Sequence, residues 1–425
     1  MSQEINKAEK QDLSLVVRAI GSDLEHTQVR MIASANADML FHYWKVGHFI
    51  LYLQKKEGWG SKVIDNLSKA IRSKYPDKKG YSRRNIFYMC QFASAYPLEV
   101  LKEMDRIDSL LTTPTVEKVL SLTNELNQIV QQPVALIQAT ENQSNTIMQQ
   151  PVAQLEEVTE ILSTIYHCDI SQIEEIFKQS AIVRTNWASH VILLNSKLPL
   201  GECYWYITQA VANGWSRNVL QMQIESNLFA RQITTKKVSN FSVRLPKPQS
   251  DLANYLMKDP YIFDMMGQTD KMAERDIERQ LVSHITKYLL EMGSGFAFVA
   301  QQKHFEVGDS DFYADLILYN IPLHAYVVVE LKATPFKPEY MGQLNFYINV
   351  VDDTLRGEHD NKTIGLLLCN GGDKVVAQYA LSGYDQPIGV SDYQLSKAIP
   401  DNLKSALPTV EEVEEELSKI VDKNI

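Results

Sequence analysis

Two carboxylates and a lysine stand in apolar runs in the C-terminal third of the chain. Asp315 lies in DFYADLILY, and Glu330 and Lys332 follow in AYVVVELKA. Side chains alternate with a period of two along a strand, so Glu330 and Lys332 share one face, with Cα atoms about 7 Å apart. Two buried carboxylates and one ammonium group leave a net charge of −1, which a divalent cation can neutralise. The spacing indicates either a metal site or an internal salt bridge between Lys332 and one of the carboxylates.

A metal held in this way would suit phosphodiester hydrolysis. A bound Mg²⁺ lowers the pKa of a water molecule and neutralises charge that develops on a scissile phosphate. Lys332 can orient or deprotonate the attacking water, or stabilise the charge of the transition state. In the following helix, PEYMGQLNFYINVVDD, Gln343 and Tyr347 stand at i and i+4 with Tyr340 at i−3, so they share a face. Upstream, Glu278 in ERQLV could complete a metal shell.

The helices and strands that must position these residues are predicted to form an α/β unit. A helix, MAERDIERQLVSHITKYLLEM, is predicted to end at Gly293, and FAFVAQQKHFEV is predicted to be a strand pair or extended arm. Three buried strands follow at 311–319, 325–333 and 363–370, and QPIGVSDYQL (386–395) is predicted to be an edge strand. Helices among these strands give a sandwich whose central strands are covered on both faces.

The N-terminal half is predicted to be mostly helical. KVIDNLSKAIRSKY, the turn PDKKG and a helix capped by Ser82 indicate a helix-turn-helix or winged-helix module. Residues 61–84 carry eight lysines and arginines against two aspartates, a net charge of +6. The functional interpretation places nucleic acid against this segment, and a charged first turn on a packed helical domain is the alternative. The candidate nucleic-acid-binding residues are Lys78, Lys79, Arg83 and Arg84, with Asn85 as an addition.

The middle of the chain differs in composition and contains a short internal repeat. IVQQPVALIQ (129–138) recurs as IMQQPVAQLE (147–156), and two repeats are too few for a solenoid. Residues 101–185 are therefore predicted to be a Gln-rich helical insertion or linker, with self-association as an alternative. Residues 240–266 are predicted to be an extended connector. Aromatic residues around 204–215 form either a packed core or a base-stacking platform.

Composition narrows the class of protein. The chain of 425 residues has room for two or three domains, and its net charge of −10 speaks against a protein that coats nucleic acid non-specifically. Four cysteines stand far apart with no CxxC spacing, which fits a reducing cytoplasm and argues against a zinc ribbon. The polar N-terminus is not typical of a signal peptide, and no apolar run could span a bilayer. The sequence has no HExxH motif and no Gly-rich phosphate loop.

The carboxylates, the lysine and the following Gln/Tyr pair resemble the signature of a known family. Asp315, then Glu330-Leu331-Lys332, then Gln343-x-x-x-Tyr347 resembles the PD-(D/E)xK nuclease signature with its QxxxY element, although Ala314 stands where the signature has proline. More of the chain is similar to the YhcG-type family within that superfamily. The similar segments are YWKVGHFI, GWGSKVIDNL, YSRRNIFYMCQFASAYP, GWSRNVL, SDLANYLMKDPYIFD, GFAFVAQQ, EVGDSDFYADLILY, VVVELKATPFKPEYMGQLNFY and TIGLLLCN.

The resemblance implies a bacterial nuclease with a restriction-endonuclease-like (tRNA-endonuclease-like) C-terminal domain. It implies catalytic roles for Asp315, Glu330 and Lys332, auxiliary roles for Gln343 and Tyr347, and metal binding by Asp315, Glu330 and Glu278. The predicted class is a multidomain α+β protein. Its predicted segments are a helical binding domain (1–100), the insertion (101–185), a helical continuation with connector (186–266), the nuclease domain (267–400) and an acidic tail (401–425).

The predicted function is therefore a Mg²⁺- or Mn²⁺-dependent DNA endonuclease in the cytoplasm. Two alternatives remain at this point: an RNA nuclease, because a fold does not fix the substrate, and a non-cutting nucleic-acid-binding or scaffold protein. Duplex cutting needs two strands cleaved, so a homodimer is a candidate assembly. The N-terminal domain and the insertion are candidate sites for a protein partner.

Overall fold

The computed structural model describes residues 31–53, 62–110, 114–140, 158–264, 289, 291–293 and 295–396. The chain divides into two compact units. The first comprises Met1–Ser109 and Glu125–Ile207, and the second comprises Leu110–Asn124 and Thr208–Ile425. Across the described ranges, every helix is too short or too polar to cross a membrane.

The N-terminal half is helical, which confirms that part of the predicted fold class. Ser82 caps α3 as predicted, because its side chain accepts a hydrogen bond from the Asn85 backbone N–H at 3.2 Å. The described residues of the first unit contain no β-strand, so the wing of a winged helix is not found there. The helices are α1 (31–53), α2 (Lys62–Lys74), α3 (Arg83–Ala95), α4 (Leu98–Leu110), α5 (Val116–Thr140), α6 (Val158–Tyr166), α7 (Ile170–Gln179), α8 (Trp187–Ser196) and α9 (Leu200–Ala212).

Aromatic side chains form the core of the first unit. Trp44 of α1 is fully buried, and its ring lies 5.5 Å from that of Phe177 in α7. The Trp44 indole N–H donates to the Tyr96 carbonyl at 2.7 Å, so the polar atom of this core residue is satisfied. Helix α7 therefore contributes to a packed core, although it falls within the segment predicted to be an insertion. Tyr204 and Trp205 are also buried, which favours the core interpretation of that aromatic cluster.

The second unit is built on a seven-stranded mixed sheet within the described residues. The order is β1-β7-β6-β5-β4-β3, and β2 also pairs with β7. Neighbours β5, β6 and β7 run parallel, and β3, β4 and β5 run antiparallel. The strands are β1 (Val238–Ser239), β2 (Tyr261–Asp264), β3 (Phe296–Val307), β4 (Ser310–Asn320), β5 (Ala325–Lys332), β6 (Ile364–Cys369) and β7 (Ile388–Ser396). The helices of this part are α10 (Arg217–Glu225), α11 (Phe241–Arg244), α12 (Gln249–Leu256), α13 (Tyr340–Thr354) and α14 (Lys374–Leu381).

Both faces of this sheet are covered, as the strand pattern predicted. On one face, Leu316, Val329 and Leu366 pack in a cluster with Phe241 of α11 and Met257, which follows α12. The opposite face packs against α13 and α14. Its cluster is made of residues such as Ile317, Val328, Leu344, Ile348 and Ala377. Alternation along β4 and β5 thus sends successive side chains into two separate cores.

Two expectations about this unit were wrong. Strand β7 is not an edge strand, because Val390 pairs with Val238 of β1 and Tyr393 pairs with Tyr261 of β2 on the side away from β6. Residues 240–266 are not an extended connector, because they contain α11, α12 and β2, whose apolar side chains enter the core. The reason is that the proline-containing segment pairs with a strand far along the chain, which local patterns do not report.

Candidate active site

Strands β4 and β5 bring the two predicted carboxylates together. Leu316 pairs with Val329 in the antiparallel register, so one further step sets Asp315 opposite Glu330. Residues directly opposite each other on antiparallel strands project from the same face. That face is the one covered by α13, because Ile317 belongs to the cluster on that side. Both carboxylates are buried, with Glu330 at 0% and Asp315 at 6% exposure.

Asp315 is held by hydrogen bonds to both of its oxygens. The backbone N–H of Leu331 donates to Oδ2 at 3.0 Å, and Nε2 of Gln302 donates to Oδ1 at 3.1 Å. The first donor belongs to β5 and the second to β3, so the carboxylate is fixed from both neighbouring strands. A carboxylate whose orientation is fixed in this way is pre-organised for binding.

Glu330 and Lys332 form a buried ion pair on the same face of β5. The Lys332 Nζ donates to Glu330 Oε1 at 2.8 Å, and Lys332 is only 8% exposed. The salt bridge considered as an alternative is therefore present. The Lys332 ammonium group also lies 5.7 Å from the ring centroid of Tyr340, the first residue of α13. The described strands thus set one lysine beside two buried carboxylates, and the ion pair does not exclude a metal site.

Helix α13 brings Tyr347 to the same place. Burial raises the pKa of the Tyr347 hydroxyl, the nearby carboxylates of Glu330 and Asp315 raise it further, and a hydrogen bond with the Gln343 side chain acts in the opposite direction. Tyr347 is thus within electrostatic reach of both carboxylates, and Gln343 contacts Tyr347. The i and i+4 spacing places Gln343 and Tyr347 on one side of α13, with Gln343 exposed and Tyr347 buried.

A glycine in β6 permits this close approach of α13. A Cβ atom built on Gly365 would lie 2.5 Å from Ile348 Cδ1 and 3.1 Å from Leu344 Cγ. A larger residue at this position would require the Ile348 and Leu344 side chains of α13 to move. Gly365 therefore permits the close packing of α13 on β6 beside the carboxylates.

Gln302 contacts the candidate site, through its hydrogen bond to Asp315, but was not among the residues predicted from the sequence. Its backbone has a φ of +46°, an uncommon conformation for a residue other than glycine, close to a register shift between Phe298 and Ala300 in β3. Strained backbone of this kind clusters at functional sites. The sequence signal was slight: two adjacent glutamines interrupt the apolar start of FAFVAQQK.

The donor set fits a divalent cation in type and number. Mg²⁺ is commonly bound through one or two carboxylates together with water and substrate oxygens, and Asp315 and Glu330 are two such groups. Over the described ranges, no three His, Cys, Asp or Glu side chains cluster closely enough to hold a metal ion by themselves. The third predicted metal residue, Glu278, lies outside the described residues.

The predicted nucleic-acid-binding residues lie in the first unit, on the turn between α2 and α3 and at the start of α3. Lys78, Lys79, Arg83 and Arg84 are all exposed. Arg83 pairs with Asp65 at 3.0 Å, where its side chain is 71% exposed. Asn85 does not present its side chain to a ligand in the same way. Its amide donates to the Gly80 carbonyl and accepts from the Trp187 indole at 2.7 Å, so it holds the turn against the unit.

Comparison with known proteins gives two family matches. Residues 254–408 match the YhcG PDDEXK nuclease domain, and residues 19–122 match the DUF1016 N-terminal domain. Together with the mixed sheet, the first match confirms the predicted superfamily and fold class of the C-terminal domain. A protein of Escherichia coli (strain K12) named "Putative nuclease YhcG" is 28% identical over 203 residues, which are 48% of this chain and 54% of that protein. The chain thus spans about half the length of this relative.

A solved structure gives a further, distant likeness. The crystal structure of a repair endonuclease from Pyrococcus abyssi is 14% identical, with a TM-score of 0.21. The matched part covers 31% of this chain and 50% of that one.

Proposed function

We propose that this chain, whose C-terminal part belongs to the YhcG PDDEXK nuclease-domain family and whose N-terminal part belongs to the DUF1016 N-terminal domain family, is a divalent-metal-dependent DNA endonuclease. The observation that carries the proposal is the set of ionisable groups on one sheet face. Asp315 and Glu330 lie side by side in the sheet, with Lys332 at 2.8 Å from Glu330 and Tyr347 above them. Burying charged groups in apolar strands costs free energy, and a purely structural role for these residues does not require that cost.

Asp315 and Glu330 are the residues that would hold Mg²⁺ or Mn²⁺. PDDEXK nucleases generally use divalent metal ions. A bound cation would supply a water molecule of lowered pKa and would neutralise charge on the scissile phosphate. The hydrogen bonds from Leu331 and Gln302 support this assignment, because they orient the Asp315 carboxylate from both neighbouring strands.

Lys332 is assigned to the phosphate and to the attacking water. Its ammonium group can donate to a phosphate oxygen as negative charge develops, or orient the water for attack. Glu330 holds that ammonium group in place, so the carboxylate serves both the cation and the lysine. Gln343 and Tyr347 are assigned auxiliary roles in orienting the water and the carboxylates, because their side chains are hydrogen-bonded to each other and Tyr347 lies near both carboxylates.

The first unit is assigned to nucleic-acid binding. Lys78, Lys79, Arg83 and Arg84 are exposed donors within a segment whose net charge is +6. Such a local basic surface on a chain of net charge −10 favours contact with phosphate groups at one place rather than over the whole surface.

Cleavage of circular DNA tests the proposal. The purified full chain is incubated with supercoiled plasmid in Mg²⁺, in Mn²⁺ or in EDTA, and matched DNA and RNA oligonucleotides are digested in the same buffers. We expect nicking or linearisation of the plasmid with metal and none in EDTA. Asp315→Asn and Glu330→Gln should each reduce the rate at least about a hundredfold. Asp311→Asn is the matched control, because Asp311 lies on the same strand but its side chain is 67% exposed.

Each other outcome revises a separate part of the proposal. Cleavage that persists in EDTA and in Asp315→Asn would remove the assigned site. Cleavage of RNA alone would replace DNA as the substrate. Binding of nucleic acid without cleavage under every metal condition would favour the non-cutting scaffold.

A further inference from the structure

The basic surface of the first unit carries exposed aromatic rings among its charges. We define the basic surface by the exposed residues of α2, of the following turn and of the start of α3. Among them lie Tyr75 in the turn, 50% exposed, and Phe87 on α3, 49% exposed. The cationic members are Lys69, Arg72, Lys74, Lys78, Lys79, Arg83 and Arg84, and Asp77 in the turn is an exposed acidic member.

Phe87 and the arginines occupy one face of α3. Phe87 follows Arg83 by four residues and Arg84 by three, so these side chains are neighbours on the helix surface. Arg84 is held against the ring of Tyr88 at 5.6 Å and donates to its hydroxyl at 3.3 Å. Tyr88 in turn accepts from Asn195 and is buried, so this part of the face is fixed from within the unit. Phe87 has no such burial, and half of its ring remains open to a ligand.

Tyr75 repeats the arrangement in the turn. Its ring lies 5.6 Å from the Lys74 ammonium group, and Lys78 and Lys79 follow on the same exposed turn. The surface thus combines cations with two aromatic rings that present their surface to solvent. Cations bind the phosphates of any nucleic acid, whereas exposed rings stack only on bases that are themselves exposed.

We infer that the basic surface binds unpaired nucleotides, such as a single strand or the unpaired part of a branched or gapped duplex. In a regular duplex the faces of the bases are stacked inside the helix, so only the phosphates would meet this surface. In a single strand, Phe87 and Tyr75 can stack on successive bases while the lysines and arginines contact the backbone. This inference rests on the proposed function only in taking nucleic acid as the ligand.

Fluorescence anisotropy of labelled oligonucleotides tests the inference on the full chain in EDTA, where cleavage is not being measured. We expect the chain to bind a single-stranded DNA that forms no hairpin more tightly than a regular duplex of the same length. Phe87→Ala should weaken single-strand binding about tenfold, while duplex binding changes less than about twofold. Phe87→Trp should retain the binding. Ile32→Ala is the matched control, because Ile32 is an exposed apolar residue of the same unit (71%) outside the basic surface.

The charges are tested separately from the rings. The double change Lys78→Gln and Lys79→Gln should weaken both ligands and reduce the slope of log affinity against log salt by roughly 1.4 for the single strand.

Three results would overturn the inference: equal loss on both ligands in Phe87→Ala, no loss on either, or binding to an acidic peptide that exceeds binding to nucleic acid. If plasmid is cut while oligonucleotide binding does not depend on this surface, the inference and the assignment of nucleic-acid binding to this surface fail, and the proposed endonuclease activity stands.

Discussion

Lys332 provides the countercharge on which the burial of Glu330 depends. Glu330 is completely buried, Lys332 is 8% exposed, and the two charged groups are 2.8 Å apart. Removing one partner of a buried ion pair typically costs about 3–5 kcal/mol, because the other charge stays in an apolar place. We therefore expect Lys332→Met to lower the free energy of unfolding by about 3–5 kcal/mol in EDTA. At about 2–4 °C per kcal/mol for a unit of this size, the unfolding temperature should fall by about 6–20 °C.

Differential scanning calorimetry of the full chain measures this shift, and Lys337→Met is the matched control. Lys337 also has its ammonium group near the Tyr340 ring, at 5.9 Å against 5.7 Å for Lys332, but its side chain is 54% exposed. Its pairing with Glu339 at 3.7 Å is a surface contact worth less than about 1 kcal/mol.

Two further measurements connect the loss to charge. Added Mn²⁺ should restore part of the stability of Lys332→Met, since a cation at a hundred times its dissociation constant contributes about 2.7 kcal/mol. The double change Glu330→Leu with Lys332→Met should recover most of the loss, because it removes both charges. If Lys332→Met and Lys337→Met unfold at the same temperature in EDTA, the reasoning about buried charge at this site is refuted.

Three other predictions concern hydrogen bonding and protonation. Gln302→Ala should weaken Mn²⁺ binding by about tenfold in isothermal titration calorimetry, because Asp315 loses one of its orienting donors; unchanged affinity would exclude Gln302 from the site. The pKa of Tyr347 is raised above its usual value of 10.0, so its hydroxyl stays protonated below pH 10. Its contribution to stability is lost only as the pH rises through the raised pKa. Tyr347→Phe should therefore slow cleavage without altering the pH profile of the rate below pH 10. Burial lowers the pKa of His48 to about 3 and that of His190 to about 4. Below pH 6.5 the unfolded chain therefore binds more protons than the folded chain. As the pH falls towards these lowered pKa values, the free energy of unfolding should decrease by about 1.4 kcal/mol per pH unit for each histidine. In urea titrations between pH 7 and 5, His190→Gln should reduce that dependence by up to about 1.4 kcal/mol per pH unit, and an unchanged slope would contradict the assignment.

Local patterns predicted which faces of β5 and α13 carry the candidate site residues. Period-two alternation put Glu330 and Lys332 on one face of a strand, and the i, i+4 spacing put Gln343 and Tyr347 on one face of a helix. Both patterns are enforced within a few residues of chain, and the sheet then brings them together because each face must be buried. The chemical roles of these residues, and the five-segment division of the chain, stay predictions.

Features that depend on distant partners were not predictable in the same way. Gln302, which donates a hydrogen bond to Asp315, has a positive φ in β3, and the residue types of that strand do not indicate this conformation. Helix α14 carries its apolar residues in a short run, KVVAQYAL, which is compatible with several structures. The pairing of β1 and β2 with β7 joins segments at opposite ends of the unit, and such pairings are fixed by tertiary contacts rather than by local propensity.

That pairing has a consequence for the way the protein is synthesised. Strands β1 and β2 leave the ribosome early, but the strand that receives them, β7, is among the last parts of the sheet to be made. A side chain at Gly389 of β7 would lie 2.9 Å from both Met257 and Phe241, so the early helices close tightly over this late strand. Non-local pairing of this kind slows folding, because loop entropy is lost before the contacts form. The sheet of the second unit therefore remains incomplete until the chain has been synthesised as far as β7.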